Sequence, residues 1–387
     1  MTETDAGLRA VMAKIADGYD LVPYKPKDKG SPGLDPALLY GIAGLYGEFP
    51  LRRDIEVLDL GCGTGGQLQR VGGLTTGRLA GIDISPVSCE EAARKCAALG
   101  ARCTIQCKDL FDLDLAGLGQ FDLIYVLGVY FVVPPPVQAR LIEVVSTCLK
   151  PGGVLVISYY TGEVWRQFDA MRRAVQAVVD RSAPAAAQIK TARDCVQAMA
   201  ADGKSAILAR LVEHSRKGGE TTFFHEMMGE VLAQTKAAEL EAALAPAGIH
   251  FLNLLQPGPV PSTDPMARAA AADRVSMGGY LYGVFGKYDP SRPAEWTTLF
   301  WITNLRRAGV SNVGIAVFQD AATGGRVEVA NSTTAVALDL LARGPRPWSE
   351  ILNAMAATPA GLAYLTSVKR DFISFWHQGL LTPLAQI

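Results

Sequence analysis

VLDLGCGTGG, Val57 to Gly66, decides the fold of this chain. Its first half is an apolar, β-branched run that ends at Leu60 and reads as a short buried strand. Its second half places glycines at Gly61, Gly63 and Gly65, then opens a helix from about Gln67. Glycines there let the backbone turn tightly and let a ligand approach main chain that a side chain would otherwise cover. A strand, a glycine loop and a helix in this order begin a doubly wound sheet, in which ligands bind beyond the carboxyl ends of the strands.

The neighbouring sequence continues the pattern. LAGIDI (Leu79 to Ile84), CTIQCKD (Cys103 to Asp109), FDLIYVLG (Phe121 to Gly128) and GVLVISYY (Gly153 to Tyr160) read as further strands, and the stretches Val87 to Leu99 and Val137 to Leu149 read as helices between them. Parallel strands with helical crossovers are what such alternation builds. IHFLNLL (Ile249 to Leu255) and GGYLYGVFGKY (Gly278 to Tyr288) are two late strand candidates that close the sheet with an antiparallel edge. The expected fold is α/β, a Rossmann-like doubly wound seven-stranded sheet.

Around this core the composition shifts. Glu163 to His214 is rich in alanine, arginine and glutamine with apolar residues at helical spacing, which predicts a helical insert. Helical pattern returns over Ala237 to Ala245, a Pro/Gly loop runs from Pro257 to Pro265, and DPSRP at 289–293 reads as a linker. Beyond it the pattern predicts a helix near Trp296 to Ala308, strands near Val313 to Phe318 and Arg326 to Val329, and helices over Thr333 to Leu341, Trp348 to Met355 and Leu362 to His377. That is a small C-terminal α+β domain, winged-helix-like. The divisions are an N-terminal lid at 1–50, a Rossmann-like core at 51–162, the helical insert at 163–235, the end of the sheet at 236–288 and the C-terminal domain at 294–387.

Bulk composition narrows the partners. The chain has 387 residues, 49% of them hydrophobic and 19% charged, with a formal net charge of -1, so nothing draws it as a whole to nucleic acid or anionic lipid. No secretory segment is recognisable in MTETDAGLRA, and the longest apolar run, Leu123 to Pro136, falls short of the ~20 residues of a membrane span. A cytoplasmic enzyme is expected, with no membrane partner. Five of the seven cysteines lie between Cys62 and Cys107 at spacings of 27, 7, 7 and 4, which lack the close CxxC pairs of a structural zinc site. They read as reduced, buried thiols, and no metal is expected.

Three carboxylates fall at successive strand ends: Asp59 before the glycine loop, Asp83 24 residues later, and Asp109 after the third strand. An acidic residue beside the loop repels a pyrophosphate and favours an adenosine ligand with a cationic amino-acid end. Each carboxylate taken alone reads equally as a loop or cap residue. The three together agree with one ligand lying across the sheet edge.

With VLDLGCGTGG, GIDIS, KDLFDL, FDLIYVLGVY and LKPGGVLVIS as matching blocks over about 105 residues, the chain resembles the class I S-adenosylmethionine-dependent methyltransferases. The resemblance implies that Asp59 and the loop of Gly61, Cys62, Gly63 and Gly65 flank the methionine moiety. It implies that Asp83 holds the ribose, that Asp109 with Leu110 holds the adenine, that Gly128 and its neighbour Leu127 lie beside the methyl group, and that Ile84 and Lys108 also contact the cofactor. Tyr19 to Pro50, Gly128 to Gln138 and Val156 to Arg172 look like the bacterial methyltransferases with a methyltransferase regulatory domain, a family that includes rickettsial protein-lysine methyltransferases. The middle of this chain is shorter and divergent.

Methyl transfer is an in-line displacement whose main demand is alignment of the nucleophile and exclusion of water. Tyr19, Tyr24 and Tyr130 are the aromatic candidates for the methyl end, Tyr19 on the cofactor side and Tyr24 and Tyr130 as catalytic candidates; packing against the sheet is the competing role. His225 and Glu226 are the candidate acid and base, against a solvated or capping histidine. The expected acceptor is a protein lysine or a small-molecule nitrogen, oxygen or carbon nucleophile, and the C-terminal domain is expected to recognise a partner or form a homodimer. The alternatives are a non-catalytic regulator that binds the cofactor and contacts a partner through its C-terminal domain, and a nicotinamide oxidoreductase.

Overall fold

A computed structural model describes residues 3–23, 30–201, 213, 219–255, 262, 264–275, 279–292, 294–296, 299–358 and 361–385. Seven strands form the central sheet: β1 (Val57–Leu60), β2 (Leu79–Asp83), β3 (Cys103–Cys107), β4 (Phe121–Val126), β5 (Leu149–Thr161), β6 (Ile249–Leu254) and β7 (Gly279–Lys287). Their spatial order is β3-β2-β1-β4-β5-β7-β6. Six run in one direction, while β7 is antiparallel to both of its neighbours, β5 and β6. The antiparallel strand therefore lies one place inside the expected edge, and β6 is the edge itself.

Every residue of β1 and β4 is buried, as a parallel sheet covered on both faces requires. The pleat sends alternate residues to opposite layers. Val57, Leu123, Tyr125, Val154 and Val156 face a core shared with α2 (Pro36–Gly44), α3 (Gly66–Gly72) and the C-terminal region. Leu58, Leu60, Ile124, Val126, Leu155 and Ile157 face the other core. That core holds residues of α1 (Glu3–Leu21), α6 (Pro135–Cys148), α10 (Ala237–Leu244) and α11 (Pro265–Val275). Two further helices, α4 (Pro86–Cys96) and the single turn α5 (Leu115–Leu118), complete the crossovers.

The insert is helical where it is described: α7 (Gly162–Val178), α8 (Ala185–Ala200) and α9 (Gly219–Met228) pack through Phe168, Met171, Val175, Ile189, Val196, Phe223 and Met227. After β7 come β8 (Leu299–Thr303), β9 (Leu305–Val310), β10 (Ala316–Asp320), β11 (Arg326–Val329), α12 (Ser332–Leu341), β12 (Arg346–Pro347), α13 (Trp348–Ala356), α14 (Leu365–His377) and β13 (Leu381–Ala385). The segment expected to be a helix near Trp296 to Ala308 is thus two strands. Its aromatic and β-branched run Phe300-Trp301-Ile302-Thr303 suits the middle of a sheet, and β8 lies between β12 and β13.

α2 ties the two halves together. Gly41 approaches β13 so closely that a Cβ there would lie 2.4 Å from the Pro383 carbonyl oxygen. The indole of Trp296, the only described non-glycine residue with positive φ, donates to the Leu45 carbonyl at 3.3 Å. Trp296 packs edge-on against Trp348 and tilts on Trp301. Among the described residues no helix is long and apolar enough to cross a membrane, and no group of three or more His, Cys, Asp or Glu side chains is placed to hold a metal ion.

Candidate functional site

A cavity of about 470 Å³ opens at the carboxyl ends of β1, β2 and β4. Of the residues expected there from sequence, Tyr19, Asp59, Gly61, Cys62, Gly63, Asp83, Ile84, Lys108, Leu110, Leu127 and Gly128 line it. One helix, α1, forms a wall through Met12, Ile15 and Tyr19.

The loop after β1 exposes main chain to this space. Gly63 (φ +49°) and Gly128 (φ +76°) have left-handed backbones, and a Cβ built on either meets nothing within 4 Å, so the chain there is bare toward the cavity. The carboxylate of Asp83 accepts the Gly63 N–H at 2.8 Å and the Ser85 N–H at 2.9 Å. Burial raises its pKa above the usual carboxylate range, and the N–H donors oppose that shift only in part. Ser85 in turn caps α4 and donates its hydroxyl to Asp20 at 2.5 Å, joining the end of α1 to the tip of β2. Asp59 is buried in β1, and burial, with Asp59 and Asp83 nearby, pushes the Cys62 thiol well above its usual pKa.

Two expected cofactor residues turn elsewhere. Gly65 packs toward Ala92 and Cys96 behind the loop, and Asp109 uses its carboxylate to accept the Phe111 N–H at 3.0 Å. The catalytic candidates are dispersed. Tyr130 is buried in the core with α6 and α10, where desolvation raises its pKa. His225 and Glu226, adjacent on α9, point to different neighbours. His225 bonds the Val22 carbonyl through Nε2 at 2.8 Å and stacks on Tyr19 at 4.3 Å between ring centroids. Its pKa is lowered by burial. Glu226 accepts the Tyr160 hydroxyl at 2.7 Å. Neither lines the cavity, although His225 borders a smaller pocket of about 220 Å³ on the far side of Tyr19. Tyr24 lies outside the described residues.

The aromatic residues at the Gly128 end of the cavity come instead from β7. Tyr280 and Tyr282 line it, two residues apart on one strand face. Tyr280 bonds the Ser158 hydroxyl at 2.8 Å, and the same oxygen accepts the Gly128 N–H at 2.7 Å. Alternation in GYLYGV was the available signal, but only the β5-β7 pairing shows where it leads. Thr64, Gln67, Ile82, Ser88, Val129, Val132 and Val133 complete the unforeseen lining.

Residues 57–153 match the family described as "Methyltransferase domain". An uncharacterized protein of Rickettsia prowazekii (strain Madrid E) is 32% identical over 157 residues, which is 40% of this chain and 62% of that protein. The match thus spans under two thirds of the relative's length. PKMT2 from Rickettsia typhi superposes with a TM-score of 0.68 at 17% identity, covering 90% of this chain and 75% of that one. In its complex with AdoHcy the TM-score is 0.69, again at 17% identity, with 94% and 78% covered. At that identity the likeness is one of fold, and it extends through the C-terminal region.

Proposed function

We propose that this chain, whose residues 57–153 are a class I S-adenosylmethionine-dependent methyltransferase domain, moves the methyl group of that cofactor to a nucleophile presented at the Tyr280 end of the cavity. One observation carries the reading: a single cavity runs from Lys108 and Leu110, past the Asp83 carboxylate and the bare backbone of Gly63, to Gly128 and Tyr280. The relative solved with AdoHcy, the product left when the cofactor loses its methyl group, has the same fold.

The roles follow from chemistry. An ionised Asp83 accepts hydrogen bonds from the two ribose hydroxyls. Leu110 offers an apolar surface to the adenine ring, while Asp59 and the loop N–H and C=O groups meet the charged amino-acid end. When bound, the cofactor supplies an electrophilic sulfonium methyl carbon, and the nucleophile displaces the thioether in line. Tyr280 and Tyr282 bound the space on the acceptor side, and α1 keeps water from the opposite wall. The acceptor is a protein lysine or a small nitrogen, oxygen or carbon nucleophile.

Calorimetry with S-adenosylhomocysteine, followed by incubation of the chain with methyl-labelled S-adenosylmethionine and a cell lysate, tests this. Binding together with label in a macromolecule or a metabolite supports the proposal. Binding without label in either fraction would favour a cofactor-sensing regulator, and failure to bind would remove the reading.

A further inference from the structure

Four cysteines that methyl transfer leaves without a role form two matched pairs. Cys89 and Cys96 are seven residues apart in sequence, at the start and end of the same helical face, α4 and its C-terminal residue, a separation of roughly 10.5 Å along the axis. Cys103 and Cys107 are the first and last residues of β3, on one strand face and roughly 13 Å apart. Because the helix runs back against parallel strands, its end meets the start of β3. The contacts agree: the Cys89 sulfur lies 4.0 Å from the Gln106 carbonyl, one residue before Cys107, and Cys96 and Cys103 share one core cluster.

The surroundings fix each rung. The Cys89 thiol also donates to the Asp83 carbonyl at 3.5 Å and lies 4.0 Å from that of Gln106, while Cys107 reaches the Ile84 carbonyl at 3.9 Å. Cys96 reaches the Gly65 carbonyl at 3.7 Å. In each pair one member is buried and the other open to solvent: Cys107 is exposed and Cys103 partly so. All four are free thiols. Small apolar packing explains a buried cysteine singly. It does not explain why both cysteines of one helix face meet both cysteines of one strand face.

We propose that Cys89–Cys107 and Cys96–Cys103 are a two-rung oxidation site, each pair closing to a disulfide under hydrogen peroxide or a small disulfide such as oxidised glutathione. With peroxide, the solvent-reached thiolate of Cys107 or Cys103 attacks one oxygen, the O–O bond breaks, and the sulfur becomes a sulfenic acid as water leaves. The buried partner then loses its proton, attacks that sulfur and releases a second water; two electrons pass from the thiol pair to one peroxide. With oxidised glutathione, two exchange steps release two molecules of reduced glutathione. The order is consistent with the thiols themselves, since burial pushes Cys89 up while the neighbouring Cys96 thiol holds Cys103 lower. The outer rung abuts Asp83 and precedes Lys108, and the inner one touches the glycine loop through Gly65, so closure would pin α4 against the cavity wall.

The test is peptide mapping of the folded full chain after incubation in a buffer of oxidised and reduced glutathione, with free thiols alkylated before trypsin. Cleavage after Arg78, Arg94, Lys95, Arg102 and Lys108 puts Cys89 in peptide 79–94, Cys96 in 96–102, and both Cys103 and Cys107 in 103–108. The wild type should yield these three peptides as one linked species, four hydrogens lighter than their sum. Cys103→Ser should leave only 79–94 joined to 103–108, and Cys107→Ser only 96–102 joined to 103–108. If the wild-type thiols stay open to alkylation while Cys107 carries glutathione, or if either variant shows the exchanged linkage, the assignment is wrong.

Discussion

The carboxylate of Asp83 receives the backbone N–H of Gly63 at 2.8 Å, so the tip of β2 sets the shape of the loop that follows β1. The same carboxylate is the proposed anchor of the ribose, so its charge and its geometry are separable. Asp83→Asn keeps an oxygen for Gly63 but removes the charge and the acceptor of the Ser85 N–H. It should weaken S-adenosylhomocysteine binding by about 2 kcal/mol, roughly thirtyfold in Kd. Unchanged affinity in calorimetry would count against the ribose assignment.

Burial raises the pKa of Asp83, and this gives a pH dependence with a definite sign. The ionised form holds the ribose, so affinity should decline as pH falls through that raised pKa, at a higher pH than an ordinary aspartate gives. The contribution to stability has the opposite sense: it is fully present below the ordinary aspartate pKa and is lost as pH rises through the raised one. Asp83→Asn should lose both contributions, read as the difference from the wild type when binding and urea unfolding are measured across the acidic range.

His225 holds the end of α1 through the Val22 carbonyl and the ring of Tyr19. His225→Ala should cost about 1–2 kcal/mol and leave α1 less protected from hydrogen exchange. Its pKa is lowered by burial, so its contribution is present above the ordinary histidine pKa and declines as pH falls toward the depressed one. Exchange in residues 7–22 should therefore quicken on mild acidification in the wild type, and His225→Gln should abolish that pH response.

The Ser158 hydroxyl stands between the Gly128 N–H and Tyr280. Ser158→Ala takes the acceptor from a backbone donor, with an expected loss of about 1–2 kcal/mol in urea unfolding. Tyr280→Phe leaves that bond intact. It should barely change stability or S-adenosylhomocysteine affinity but should lower methyl-transfer turnover, because the hydroxyl lies on the acceptor side. Equal loss of cofactor affinity in both variants would show that Tyr280 acts only through Gly128.

The first half of the sheet was legible because glycines, β-branched runs and strand-end carboxylates recur at fixed places in VLDLGCGTGG, GIDIS and FDLIYVLG. Legibility failed where distant chain decides the outcome. Tyr130 follows Gly128 by only two residues, yet the chain turns it into the core with α10, while Tyr280 reaches the cavity because β7 inserts beside β5. His225 and Glu226 are neighbours in sequence, but a helix separates adjacent side chains by about 100° and sends them to Val22 and Tyr160. Apolar residues at Trp296, Leu299 and Phe300 mimic the start of a helical stripe in a segment that forms β8 and β9. β13 carries Pro383, a residue tolerated because this strand lies at the sheet edge, a position its own five residues do not announce.

Gly41 gives the sharpest test of how the C-terminal region is attached. A Cβ at this position would lie 2.4 Å from the Pro383 carbonyl oxygen and 2.7 Å from the Leu384 Cα, both backbone atoms that cannot rotate away. α2 or β13 must therefore shift, and Gly41→Ala should cost about 1–3 kcal/mol in spite of alanine's better helix propensity. Gly7 is also helical, but it is exposed and a Cβ there would meet nothing within 4 Å, so Gly7→Ala should be neutral or stabilise by up to about 1 kcal/mol. Urea unfolding of the two variants separates packing from propensity. If Gly41→Ala proves as stable as Gly7→Ala, the close approach of α2 to β13 does not exist in solution.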